Sequence, residues 1–173
     1  MKYITFILVA LMSFLLLPSQ AKADSNNNES QFTVYLVRHA EKVLTLKNPP
    51  LTSCGIKRAE QLSVMLEQAH IKTIYSTKFA RTEQTAAPLA QKLNIQVQSY
   101  SPRDLKAFAN KIKLEKKNTV IVGHSNTTPQ LTALVANTLV KEITEQEYQM
   151  LYQVQFTGDN AQLTLLKQPL NCP

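Results

Sequence analysis

Cysteine, histidine and acidic side chains are all scarce in this chain of 173 residues, which holds two, three and twelve of them and no tryptophan. The two cysteines, Cys54 and Cys172, stand far apart, and neither belongs to a Cys-x-x-Cys pair, which argues against a thiolate zinc site. Aromatic residues make up 7% of the chain. None interleaves the basic run Lys111-Ile112-Lys113-Leu114-Glu115-Lys116-Lys117, whose spacing suits a helix C-terminus, so a nucleic-acid partner is not indicated. There is no internal repeat and no break that would mark a second folded domain. The one long apolar run, Ile4 to Leu17, falls short of the roughly 20 residues that span a bilayer.

That run follows Met1-Lys2 and is closed by Pro18, and Ala21-Lys22-Ala23 then offers the small-x-small pattern that signal peptidase accepts. Residues 1–23 therefore read as a secretory signal peptide cleaved after Ala23. No cysteine follows the run to carry a lipid, so no stable membrane insertion is expected afterwards, and the product is expected in a periplasm or secreted. Loss of Lys2 and Lys22 leaves 17 basic against 12 acidic residues, a net charge of +5 that suits an anionic ligand. In an oxidising compartment the even cysteine pair points to a Cys54–Cys172 disulfide tying the C-terminus to an early loop.

Residues 24–31 are polar and Asn-rich and read as a disordered lead-in; 32–173 read as a single domain. Within it, strands are predicted at Phe32–Val37, Thr73–Tyr75, Ile95–Val97 and Thr119–Val122. Helices are predicted from Thr52 to about Gln68, from Phe79 to Leu93, from Pro102 to Glu115 and from Thr128 to Leu139. In the first, Ile56, Ala59, Leu62, Met65 and Leu66 form an apolar stripe; in the second, Ala86, Ala87, Leu89, Ala90 and Leu93 face inward, with Pro88 expected to cut or kink the helix. His70 is expected in the last turn of the first helix, as a structural residue. Glu145–Phe156 and Ala161–Leu166 read as a late strand pair. Such alternation of strand and helix predicts an α/β fold with three α/β/α layers around a mostly parallel sheet.

Two of the three histidines fall at strand ends: Val34-Tyr35-Leu36-Val37 delivers Arg38-His39, and Thr119-Val120-Ile121-Val122-Gly123 delivers His124. Open α/β sheets place their sites at the carboxyl edge, where Arg81 also emerges after the second strand. A histidine there can attack phosphorus, hold a metal or satisfy a loop carbonyl. Together, two arginines and two histidines suit a phosphoryl group, because guanidinium forks bind its oxygens and a neutral imidazole can attack it. A metal is disfavoured, since two histidines lack a third ligand and arginines repel a cation.

The segments around these residues resemble one family closely. Leu36-Val37-Arg38-His39-Ala40-Glu41 is similar to the signature of the histidine phosphatase superfamily, the phosphoglycerate-mutase-like group, with Ala40 where glycine is commonest. Pro50-Leu51-Thr52-Ser53-Cys54-Gly55-Ile56-Lys57-Arg58-Ala59 resembles its P-L-T-x-x-G-x-x-x-A stretch. Tyr75 to Ala86 resembles its second arginine segment, and Val122-Gly123-His124-Ser125-Asn126-Thr127 its second histidine segment. The resemblance implies a phosphoglycerate-mutase-like fold, His39 as nucleophile carried as a phosphohistidine, and Arg38, Arg81 and His124 as the phosphate pocket. It implies no cofactor and no metal.

Ser125 and Asn126 could donate to the phosphate or position His124, or simply cap a helix. Thr45 and Asn48 could line the pocket from the loop. Larger branches of the family supply a carboxylate acid after the second histidine, where this chain has Ser125, or after the third strand, where Asp104 stands. Asp104, Glu41 and Glu83 are the candidate general acids; Asp104 reads equally as a helix cap, and Glu41 and Glu83, closest in sequence to the catalytic arginines, as ion-pair partners that orient those guanidiniums. The leading expectation is an exported phosphatase for a small or surface-displayed phosphomonoester. A binding module that holds phosphate or a phosphorylated ligand without turnover is the alternative. A third reading, an adaptor presenting the alternating stripe Tyr148, Met150, Tyr152, Val154 and Phe156, competes with ordinary core packing of a strand.

Overall fold

The computed structural model describes residues 30–44 and 47–171. The expected signal peptide, most of the lead-in, Thr45 and Cys172 lie outside the described residues. Ten elements follow in order: β1 (Gln31–Arg38), α1 (Ser53–Leu66), β2 (Thr73–Ser76), α2 (Ala80–Leu93), β3 (Val97–Ser99), α3 (Leu105–Glu115), β4 (Thr119–Gly123), α4 (Thr127–Ala136), β5 (Met150–Thr157) and β6 (Asn160–Lys167). The strands form one six-stranded sheet in the order β3-β2-β4-β1-β5-β6. The first four lie parallel to one another, and β5 and β6 add an antiparallel hairpin beside β1.

Alternation along the strands feeds two cores. Val34 and Leu36 of β1, Ile121 of β4 and Tyr152, Val154 and Phe156 of β5 pack with Phe108 and Ile112 of α3 and Leu131 and Val135 of α4. Val37, Val120, Val122 and Ile74 point the other way, against Leu62 and Leu66 of α1 and Ala86, Leu89 and Ala90 of α2. Successive strand residues face opposite sides, so the central strands are apolar throughout, as a sheet covered on both faces requires. Tyr152, Val154 and Phe156 of the alternating stripe are thus consumed by the core, with Met150 packed partly buried against it, while Tyr148 lies in the loop before β5. The sequence reading of a mostly parallel three-layer α/β/α fold agrees with this architecture.

Several local expectations need correction. The buried face of α1 carries Gly55, Arg58, Ala59, Leu62, Ser63 and Leu66, while Ile56 is 50% and Met65 38% exposed. An arginine and a serine occupy core-facing positions, which turns the apparent stripe away from the true one. Ala87 and Leu93 are only half-buried on α2. That helix runs through Pro88 uninterrupted; the carbonyl that Pro88 leaves without a helical donor belongs to Gln84, an exposed residue within reach of solvent. His70 lies beyond α1, at φ 51°, in a left-handed turn rather than in a last helical turn. β3 is displaced to Val97–Ser99, and α3 begins at Leu105 after Pro102-Arg103-Asp104. The fourth helix ends at Ala136, and the residues from Glu145 to Gln149 form a loop before β5. Cys54 is disulfide-bonded, and no free cysteine stands among the described residues.

Candidate active site

β1 and β4 are neighbours, with Arg38 paired to Gly123, so the residues that follow each strand emerge side by side. His39 N–H still donates to the Gly123 carbonyl at 2.9 Å. Gly123 is needed there: a Cβ would stand 2.8 Å from Thr128 Oγ1 and 2.9 Å from the Tyr100 hydroxyl. The loop after β1 is pinned at Ala40, whose N–H donates to Thr85 Oγ1 at 2.9 Å, and at Glu41, whose carbonyl accepts from Thr52 N–H at 2.8 Å.

The P-L-T-x-x-G stretch builds that second anchor. Thr52 caps α1 by accepting from Gly55 N–H at 3.1 Å. Gly55 then passes so close to the loop that a Cβ would fall 2.2 Å from the Glu41 carbonyl oxygen. Arg58, one turn on, is buried against Glu41, with Nε 2.9 Å from both carboxylate oxygens and Nη2 2.6 Å from Oε1. Glu41 therefore serves Arg58, and neither Arg38 nor Arg81 as the sequence suggested.

His39 is buried, and its Nδ1 lies 2.8 Å from the Ala40 carbonyl. A carbonyl only accepts, so Nδ1 carries the proton and Nε2 holds the lone pair. His124 stands with its ring centroid 5.6 Å from that of His39. Arg81 Nη2 donates toward His124 Nδ1 at 3.4 Å, which leaves Nε2–H to donate to Thr77 Oγ1 at 2.9 Å. Thr77 in turn bonds Thr82, fixing the ring from behind. Burial, reinforced by the arginine charges, pushes His39 down to about 3 and His124 to about 4, so both imidazoles are neutral near pH 7. Burial and the charge of Arg38 also press Arg81 below its usual range. The guanidinium of Arg81 lies over the Phe79 ring at 4.6 Å.

A cavity of about 400 Å³ opens over these groups, lined by His39, Lys42, Phe79, Arg81, Pro102, His124, Ser125, Asn126, Thr127 and Glu145. Arg38 departs from expectation: only 1% exposed, it does not line the cavity. Its Nη1 donates to the carbonyls of Thr144, Glu145 and Glu147 at 2.8–3.3 Å, its Nη2 to Glu145 Oε2 at 2.8 Å, and Tyr148 stacks on it at 4.0 Å. The Nε atoms of Arg38 and Arg81 are buried without a hydrogen-bond partner, and of the two residues only Arg81 lies on the cavity wall.

Of the other expected residues, Ser125 and Asn126 line the cavity, and Asn126 makes no side-chain cap bond. Asn48 accepts instead from Ala80 N–H at 3.0 Å, holding the start of α2. Asp104 caps α3, accepting from Ala107 N–H at 3.0 Å, and Glu83 is exposed in the first turn of α2; neither lines the cavity. The sequence reading missed Glu145, which bonds both Arg38 and Ser125 Oγ. It also missed Lys42 and Phe79 as wall residues. Among the described residues no group of three or more His, Cys, Asp or Glu side chains comes together as a metal centre would need, and no helix is long and apolar enough to cross a membrane.

Comparisons with known proteins show what this chain and its fold are similar to. Residues 34–102 match the family model of the histidine phosphatase superfamily, branch 1. No curated protein sequence matches. The fold superposes on the protein histidine phosphatase SixA complexed with tungstate, with a TM-score of 0.66 at 16% identity over 79% of this chain and 97% of that one. It superposes likewise on Bacillus stearothermophilus YhfR (TM-score 0.61, 16% identity, 78% and 96% covered). A mycobacterial glucosyl-3-phosphoglycerate phosphatase gives a TM-score of 0.60 at 10% identity over 82% and 100%.

Proposed function

We propose that this chain, whose residues 34–102 match the histidine phosphatase superfamily, branch 1, is an exported phosphatase that hydrolyses phosphomonoesters through a phosphohistidine intermediate on His39. The observation that carries this reading is the tautomer of His39: Nδ1–H is tied to the Ala40 carbonyl, which leaves Nε2 as the attacking atom beneath a cavity walled by Arg81 and His124. A neutral imidazole attacks phosphorus in line, and the ester oxygen leaves on the opposite side. Arg81 holds the phosphoryl oxygens, and Arg38 adds a fixed positive charge from behind His39. His124 starts neutral and takes up a proton when a phosphoryl dianion arrives, since nearby negative charge raises its affinity for one. The open pocket suits small or surface-displayed phosphorylated substrates; export rests on the leader sequence.

The test is release of nitrophenolate from para-nitrophenyl phosphate by the wild type and by His39→Ala, across pH 4 to 8. Turnover in the wild type, lost in the variant, supports the reading, and retained turnover in the variant refutes it. No turnover in either, with phosphate still bound, would favour the binding module that uses the same pocket.

A further inference from the structure

We propose that Glu145 is the proton donor to the leaving group, held in place by Ser125. This inference rests on the phosphatase reading and supplies the acid that the sequence lacks. Among the described residues Glu145 is the only carboxylate on the cavity wall. Each alternative is engaged elsewhere or faces away: Glu41 is bound to buried Arg58, Asp104 caps α3, and Glu83 is exposed on α2. Ser125 stands directly after His124, and its hydroxyl donates to Glu145 Oε1. A carboxylate missing from that point of the chain is thus returned to it in space, from a loop 20 residues further on.

The carboxyl is held below the usual range by the Ser125 hydroxyl and by the charges of Arg38 and Lys42. The charged and titratable groups facing it are Arg38, Lys42, Arg81 and His124. A phosphoryl dianion reverses the balance, because it draws the guanidiniums to itself and sets negative charge beside the carboxylate. Glu145, whose side chain is 63% exposed, is free to swing off Arg38 and take up a proton as substrate enters.

The lone pair of His39 Nε2 then forms the bond to phosphorus while the ester P–O bond breaks. The leaving oxygen keeps that bond's electron pair, takes the Glu145 proton and departs as an alcohol. Water next adds to phosphorus and gives a proton to the Glu145 carboxylate; the P–N bond breaks and returns its pair to Nε2. Inorganic phosphate leaves, and the acid is regenerated.

Leaving-group dependence tests this role, because nitrophenolate departs without a proton and an alkoxide does not. The kcat/KM of Glu145→Gln is compared with wild type on para-nitrophenyl phosphate and on glycerol phosphate. The expected loss on the alkyl ester exceeds that on the nitrophenyl ester by about 100-fold, the scale of general acid catalysis. Equal losses on both esters overturn the assignment, since they would mean that Glu145 only positions Arg38. A wild type active on the nitrophenyl ester alone overturns it too, as does a selective alkyl-ester loss in Lys42→Met that Glu145→Gln does not share. A wild type inactive on both esters removes the phosphatase reading itself.

Discussion

Replacing Glu41 by Gln takes from the buried Arg58 guanidinium the carboxylate it is paired with. The Arg58 side chain is 3% exposed and that of Glu41 15%, so little water can replace the lost partner. Breaking a buried ion pair from one side costs about 3–5 kcal/mol, because the cost is that of the stranded charge. For a domain of this size each kcal/mol lowers the melting temperature by roughly 3 °C, which predicts a fall of about 10–15 °C. Thermal unfolding followed by circular dichroism at pH 7 reads it directly. Replacing both partners, Glu41→Leu with Arg58→Met, is expected to recover most of the loss, since an apolar pair of similar volume removes the buried charge altogether. A fall below about 3 °C, or a double variant no more stable than Glu41→Gln, would refute the view that this pair is a desolvated anchor. Activity at low temperature should fall as well, because the same residue fixes the loop that carries His39.

Stability should also fall with acid through the two site histidines. Their folded values of about 3 and about 4 lie below the unfolded value, so the unfolded chain binds more protons as pH drops through 6.5. The loss reaches about 3 kcal/mol between pH 6.5 and 5; urea unfolding of wild type beside His39→Gln/His124→Gln isolates it, and parallel pH profiles would contradict it. Gly55→Ala should cost roughly 1–3 kcal/mol and impair turnover, because its Cβ meets backbone rather than a movable side chain; a variant with wild-type melting and activity would show that the loop yields freely. Asp104→Ala should lower stability by about 1 kcal/mol through the lost cap, with equal effects on alkyl and nitrophenyl esters; an alkyl-selective loss would make it the acid instead.

The features legible in the sequence were those set by local rules. β1 and β4 announce themselves because buried parallel strands are continuously apolar, and the histidines that close them mark the sheet edge where the site lies. Thr52 was legible as a cap because capping chemistry acts within one turn. β3 was misplaced because it is a three-residue edge strand paired only with β2, so its sequence carries little burial signal. Arg58 was hidden inside a helix whose exposed Ile56 and Met65 look more like core than it does. Glu145 was invisible for a different reason. It sits in a loop without periodicity, and its importance comes from contacts with Arg38, 107 residues away, and with Ser125.

The position of β1 in the sheet bears on how the protein folds. It lies between β4 and β5, so the earliest of the described strands is flanked by two that are made much later. Its neighbours are remote in sequence, as the bond from Thr33 to Asn118 across 85 residues shows. Loops of that length must close before any contact compensates the lost chain entropy, which slows folding of such topologies. The carbonyls that hold Arg38 come from the loop just before β5. A nascent chain lacking its last quarter therefore has the nucleophile but no assembled pocket, and regain of activity on refolding should be among the last signals to return.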